Sequence, residues 1–216
     1  PVSEIKVYLN TLEMNFETTE QGVVKRRQSS ITFKPDGLLS DKKIAEGYLE
    51  KCQTVYLTTE MWGINLPAAL SALFKRKQKH VVLKCLNLFD NRVADIDILQ
   101  DDVYVDFDNM PEKLPLRMVG DGMRRYLHMV AASATPMNNV LLIDEIDNGL
   151  HYSAYAKIWK AIFELAVAYN KQIFVTTHSK ETLAYLHEML EENVDYQQEL
   201  RLYTIEHTLK KGLQAY

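Results

Sequence analysis

The run Leu141–Leu150, LLIDEIDNGL, carries an apolar stretch straight into two adjacent carboxylates, Asp144 and Glu145. An apolar stretch of that kind reads as a buried parallel strand. Such a strand ends at the carboxyl edge of a sheet, where open α/β folds hold their ligands. In a phosphate site the first acid would hold Mg²⁺, directly or through water, and the second would orient and deprotonate an attacking water. The pair therefore points to hydrolysis of a nucleoside triphosphate.

Two further segments stand where such a site needs them. Gln172–Thr176 (QIFVT) reads as a second buried strand ending at Thr177, His178 and Ser179, just ahead of a helical stretch. If the two strands are neighbours, His178 lies beside the acids. Upstream, Val119–Arg125 (VGDGMRR) sets Gly120 and Gly122 around Asp121 at the start of an amphipathic helix that runs to about Ala132. Free backbone N–H groups at a helix start suit a phosphate.

In this order the segments resemble the C-terminal half of an ABC-type ATPase head. More narrowly they resemble the bacterial AAA-family ATPases grouped with the OLD-like proteins, whose GDG turn, IDEIxNGLHY run and TTHS run are matched across Leu114–Leu186. The resemblance implies an α/β fold, the C-terminal lobe of a P-loop NTPase head of ABC type. In that lobe a central, mainly parallel sheet is flanked by helices, and an α+β subregion precedes it. Asp144 would be the Walker B aspartate on Mg²⁺ and Glu145 the catalytic glutamate. His178 would be the switch histidine sensing the γ-phosphate. Gly120, Asp121 and Gly122 would take the signature position, and Asn148, Gly149 and His151 the D-loop at a dimer interface. The cofactors would be ATP and Mg²⁺, and the first partner a second copy of the chain in an ATP-dependent head dimer. The family also implies phage defence or DNA maintenance, with an effector protein or nuclease as a further partner.

Two departures from the family pattern stand out. Signature turns of ABC heads begin with serine and a glycine pair, whereas this one has Gly120 followed by Asp121. An acid near a γ-phosphate is electrostatically awkward, so Asp121 is expected to point away or to cap its helix. Moreover, no GxxxxGK[ST] run, the loop that cradles β- and γ-phosphates, occurs anywhere in the sequence. The chain is accordingly expected to be an excised C-terminal portion of a longer ATPase, inactive alone.

Composition fits a folded piece. The 216 residues are 47% hydrophobic and 25% charged, enough to bury a core in one large or two small domains. The two cysteines, Cys52 and Cys85, form no CxxC pair and read as reduced core thiols. No apolar run nears the ~18 residues of a membrane span, and no signal-peptide pattern opens the chain, so a cytoplasmic location is expected. A net charge of −4 argues against a broad nucleic-acid surface. The basic runs Lys25–Arg27 and Lys75–Lys79 read as a solvated loop and a helix C-terminus.

Division into an α+β subregion over 1–110 and an ATPase lobe over 111–216 is expected. Alternation over Pro1–Lys34 predicts strands, with a turn at Lys34–Gly37. Ser40 reads as the cap of a helix through about Cys52. A short strand follows at Val55–Thr59, then helices over Pro67–Lys77 and Val81–Phe89. Ala94–Leu99 and Val103–Phe107 flank Asp101 and Asp102 as a β-hairpin. Trp62 and Trp159 read as core aromatics, His128 and His187 as ordinary helix residues. The C-terminal Leu213–Tyr216 reads as a strand.

Other chemistries fit less well. DEID is shared with helicases, but those place a Ser-Ala-Thr triplet after the acids, and here Ser133–Thr135 precedes them. A metal-dependent nuclease would need converging carboxylates. Asp95, Asp97, Asp101, Asp102, Asp106 and Asp108 supply the number, but their alternation predicts a solvated hairpin face. A non-catalytic dimerisation or partner-binding module is the remaining alternative, against which Glu145 speaks.

Overall fold

A computed structural model describes residues 2–7, 11–20, 22–35, 38–46, 53–59, 64–135, 140–208 and 212–215. The chain separates into two compact units, Pro1–Lys51 and Cys52–Tyr216.

The first unit is a four-stranded antiparallel sheet in the order β1 (Val2–Val7), β2 (Thr11–Glu20), β3 (Val23–Phe33), β4 (Leu39–Lys43). Here two expectations change. The segment at Ser40 is a strand, because Asp41, Lys42 and Lys43 pair with Thr32, Ile31 and Ser30. A Ser-Asp helix-cap signal is weak beside a ladder with the preceding strand, which overrides it. The basic run Lys25–Arg27 lies within β3, where Arg26 stands opposite Glu17 and pairs with it at 3.1 Å.

In the second unit, β5 (Thr54–Leu57), β9 (Val140–Ile143) and β10 (Gln172–Val175) form a parallel sheet with β9 in the centre. Between β5 and β9 come α1 (Leu66–Lys75), α2 (Lys79–Phe89), β6 (Val93–Leu99), β7 (Asp102–Phe107), β8 (Leu114–Pro115), α3 (Leu116–Val119) and α4 (Asp121–Ala134). After β9 come α5 (Tyr155–Ala168), then β10, then α6 (Lys180–Glu192), and a hairpin of β11 (Ile205–Thr208) with β12 (Gly212–Ala215) ends the chain. The break between units thus falls after Lys51, not near residue 110. The reason is topological, since β5 belongs to the same sheet as β9. Cys52, Trp62 and Tyr216 lie outside the described residues.

Helix α4 is the core of this unit. The GDG segment predicts an amphipathic helix, yet every residue from Arg125 to Ala134 is buried. Small side chains at Ala131, Ala132, Ser133 and Ala134 let neighbouring helices close around it. Tyr126 donates to the Cys85 carbonyl at 2.9 Å and stacks on Phe89 at 4.8 Å. Trp159 is buried as expected, its indole N–H donating to the Thr182 carbonyl and tying α5 to α6. His128 is buried on α4, and His187 is exposed beside Glu191. The sheet is less buried than its sequence predicts. Leu141 and Ile143 face the core, while Tyr56 and Phe174, paired in register with Leu142, are exposed.

The aspartate-rich hairpin forms with Gln100 and Asp101 as its two-residue turn, both at positive φ, and Asp102 already paired in β7. Like charges meet across it at Asp95 and Asp106, an unfavourable pairing that cations offset. Lys79 bridges Asp95 and Asp97, each at 2.8 Å, Lys113 contacts Asp97 and Asp106, and Arg117 contacts Asp102. The Lys113 and Lys79 hydrogen bonds hold the Asp97 carboxyl below its usual range. The lysine that ends the Lys75–Lys79 run is therefore engaged in ion pairs. Among the described residues no group of three or more His, Cys, Asp or Glu is placed to hold a metal, and no helix is long and apolar enough to cross a membrane.

Cys85 is a free, buried thiol whose pKa is pushed up to about 11 from 9.0, chiefly by desolvation. With Cys52 replaced by serine, native Cys85 should react with a thiol reagent at pH 8 at least ~100-fold more slowly than in denaturant. Native and denatured rates within tenfold would show that the α2–α4 packing opens readily.

Candidate active site

Register alone lines up the chemistry. Thr54, Val140 and Gln172 are in step, as are Leu57, Ile143 and Val175, so the three parallel strands end together. The next residues prolong the ladder, with the Asp144 N–H on the Leu57 carbonyl and the Thr176 N–H on the Ile143 carbonyl, both at 2.9 Å. Asp144 and Glu145 thus stand at the carboxyl edge of the central strand, where the sequence predicts them.

Thr176 holds both acid residues. Its hydroxyl donates to Asp144 Oδ1 at 2.6 Å and accepts the Glu145 N–H at 3.0 Å, while its carbonyl accepts the Ile146 N–H at 3.1 Å. Tyr56 of β5 reaches Asp144 Oδ2 at 3.4 Å. One position on, the Thr177 hydroxyl donates to Asp147, so two threonines stitch β10 to the acid turn. Glu145 is half-buried and adopts φ +44, a left-handed conformation unusual for a side chain of its kind. His178 is exposed in the next segment, and among the described residues none takes its ring nitrogens. The following Ser179 caps α6 through the Thr182 N–H at 3.1 Å.

From the other side, Arg125 of α4 reaches the same turn. Its Nη2 donates to the Asp144 carbonyl at 3.0 Å and to the Glu145 carbonyl at 2.7 Å. Burial lowers the Arg125 pKa, while the carboxylates of Asp147, Glu145 and Asp144 act in the opposite sense. It stays a cation at any working pH.

The remaining predicted residues assemble elsewhere. A Cβ placed on Gly122 would lie 3.7 Å from the Gly149 carbonyl and 3.8 Å from Leu150, so the GDG turn and the Asn148–His151 turn touch. Gly120, Gly122, Gly149 and His151 line a cleft of about 570 Å³ with Phe89, Arg92, Met118 and Lys157; Asp144, Glu145 and His178 are not part of its lining. His151 Nδ1 contacts Ser153 and caps the short turn Tyr152–Ala154. Asn148 closes the acid turn through its N–H on the Glu145 carbonyl at 2.9 Å. Asp121 is exposed and pairs with Arg124 at 2.8 Å rather than capping α4 with its side chain.

Residues 53–184 match the family described as "AAA domain, putative AbiEii toxin, Type IV TA system". The chain belongs to this family. The match takes in the GDG turn, the acid pair and His178, all within one AAA domain.

An ATP/GTP phosphatase of Helicobacter pylori (strain ATCC 700392 / 26695) is 32% identical over 127 residues, 56% of this chain and 34% of that protein. The chain thus spans about a third of that relative's length. Among solved structures, the SMC head domain from Thermotoga maritima is similar over 95% of this chain and 73% of its own, at 11% identity and a TM-score of 0.49. The SMC head bound to the C-winged helix domain of ScpA is similar over 82% and 68%, at 11% identity and a TM-score of 0.47.

Three residues of this AAA domain escape a reading of sequence. Thr176 lies inside the TTHS run, but nothing local says that its hydroxyl bonds both the Asp144 carboxylate and the Glu145 N–H. Arg125 sits at the end of VGDGMRR, where a basic residue on a helix reads as solvated. Tyr56 gives no signal at all.

Gly120 separates α3 from α4 at φ 106, ψ 151, a conformation essentially reserved for glycine. No atom lies within 4 Å of a Cβ there, so the cost of a side chain is in the backbone. Gly120→Ala should destabilise the unit by ~1–3 kcal/mol in denaturant titration. A loss under ~0.5 kcal/mol would mean the junction relaxes freely.

Proposed function

We propose that this AAA domain is the acid-bearing lobe of an ATPase of ABC-like head type that hydrolyses ATP to ADP and phosphate with Mg²⁺. The observation that carries the reading is the placement of Asp144 and Glu145 at the end of the central parallel strand, both held by Thr176. Asp144 would hold the metal and Glu145 would act as general base on the attacking water, with His178 as γ-phosphate sensor.

The donor set fits Mg²⁺ on a nucleotide better than a free-standing metal centre. Mg²⁺ keeps waters and binds through one or two carboxylates plus substrate phosphates, and it does not need a protein cage. Bound there, it would neutralise phosphate charge and fix the phosphates in line with the water. The phosphate loop, absent from these 216 residues, would come from a segment outside them. The relative named an ATP/GTP phosphatase supports nucleotide hydrolysis and leaves adenine and guanine as alternatives.

The separation of the cleft from the acid edge supports a head dimer. Gly120–Gly122 and Asn148–His151 of one copy would complete the site of the other. An effector or nuclease partner in a defence role is the proposed use of the cycle, in keeping with the toxin–antitoxin description of the family.

The test is phosphate release from Mg²⁺ and ATP by this chain and by a longer protein carrying the phosphate loop, each with and without Glu145→Gln. The longer protein should turn over and lose ~10²- to 10⁴-fold on mutation while still binding nucleotide, the range expected for removing a general base. Unchanged turnover would overturn the assignment. Light scattering of the Glu145→Gln protein should show a dimer with ATP, and a monomer throughout would overturn the shared site.

A further inference from the structure

We infer that Arg125 is a positioning residue for the proposed hydrolysis, locking the left-handed backbone at Glu145 from the second turn of α4 and so setting where the catalytic carboxylate stands. This rests on the reading of Glu145 as general base.

The geometry is specific. In an extended strand successive carbonyls point to opposite sides, so one nitrogen cannot bond two in a row. Here a single Nη2 meets the carbonyls of Asp144 and Glu145 at 3.0 Å and 2.7 Å, which is possible only because the chain turns at Glu145, φ +44. The left-handed region costs a non-glycine residue free energy and persists where the surroundings over-determine it. Arg125 and Thr176 supply that surplus, since the flanking peptide groups are bonded by the threonine through their N–H groups and by the arginine through their carbonyls.

Arg125 is 4% exposed and begins the stretch of α4, through Ala134, in which every residue is buried. A buried cation is retained at a cost in desolvation that an apolar residue would avoid, which makes a packing role alone a poor account of it. Its placement also links two parts of the domain. Arg125 is three residues past Gly122, so displacement of the GDG turn would be delivered to the Glu145 carbonyl.

The experiment has two arms using Arg125→Met, which keeps the buried volume, and Arg125→Lys, which restores a donor. In amide hydrogen exchange on this chain, Glu145 and Ile146 should lose at least ~10-fold protection in the Met variant and recover part of it in the Lys variant, with Leu141–Ile143 within about twofold of wild type. Unchanged protection at Glu145, or equal loss along β9, would overturn the inference. In the ATP-hydrolysing protein, Arg125→Met should lower kcat about 10- to 100-fold with KM within about threefold, and should cost less than about twofold in a Glu145→Gln background. Equal factors in both backgrounds would overturn the role of Arg125 alone. Full activity of Glu145→Gln by itself would remove the general-base reading, and the catalytic meaning of Arg125 with it.

Discussion

Everything in the candidate site depends on the in-step parallel register of β5, β9 and β10. Because the three strands end at the same level, residues 87 positions apart in sequence, Leu57 and Asp144, share a backbone hydrogen bond, and Thr176 arrives within reach of the Asp144 carboxylate and the Glu145 N–H. A one-residue slip of β10 would turn Thr176 to the other face and bring Thr177 to the acids in its place, since side chains alternate along a strand. Packing of Ile173 and Val175 of β10 against the core opposes such a slip.

Helix α4 is the second constraint. It runs from the GDG turn into the core, and its cation Arg125 bonds the carbonyls of both acid residues. The helix therefore joins the surface cleft, through Gly120 and Gly122, to the acid edge. Two chemically distinct places on one domain share a rigid element.

Much of the second unit was legible in sequence. The central strand, the helices near residues 67–77 and 81–89, the one that starts at the GDG turn, the one after Ser179 and the hairpin at residues 93–107 follow from apolar runs, periodicity and glycines. The failures share a cause. At Ser40 a good cap signal lost to pairing with β3; at β10 an apolar run became a strand with one exposed face; at residues 25–27 a charged run became part of a ladder with β2. The placement of the break between units depended on one strand, β5, crossing back to join β9. Each outcome turns on what the segment pairs or packs against, a neighbouring hairpin strand for residues 25–27 and Ser40 and a remote strand for β5, which single-segment propensity does not encode.

By itself the sequence determined the chemistry on offer, namely two adjacent acids after an apolar strand, a histidine after another and glycines at a helix start, because residue type and local spacing settle these. Only the tertiary structure decided which of them meet. It gathered Asp144, Glu145 and Thr176 at one sheet edge, set Gly120, Gly122, Gly149 and His151 in a separate cleft, and brought Arg125 to the acid backbone. The physical reason is that hydrogen bonds and packing between segments distant along the chain form only when the sheet register and the burial of α4 are established together.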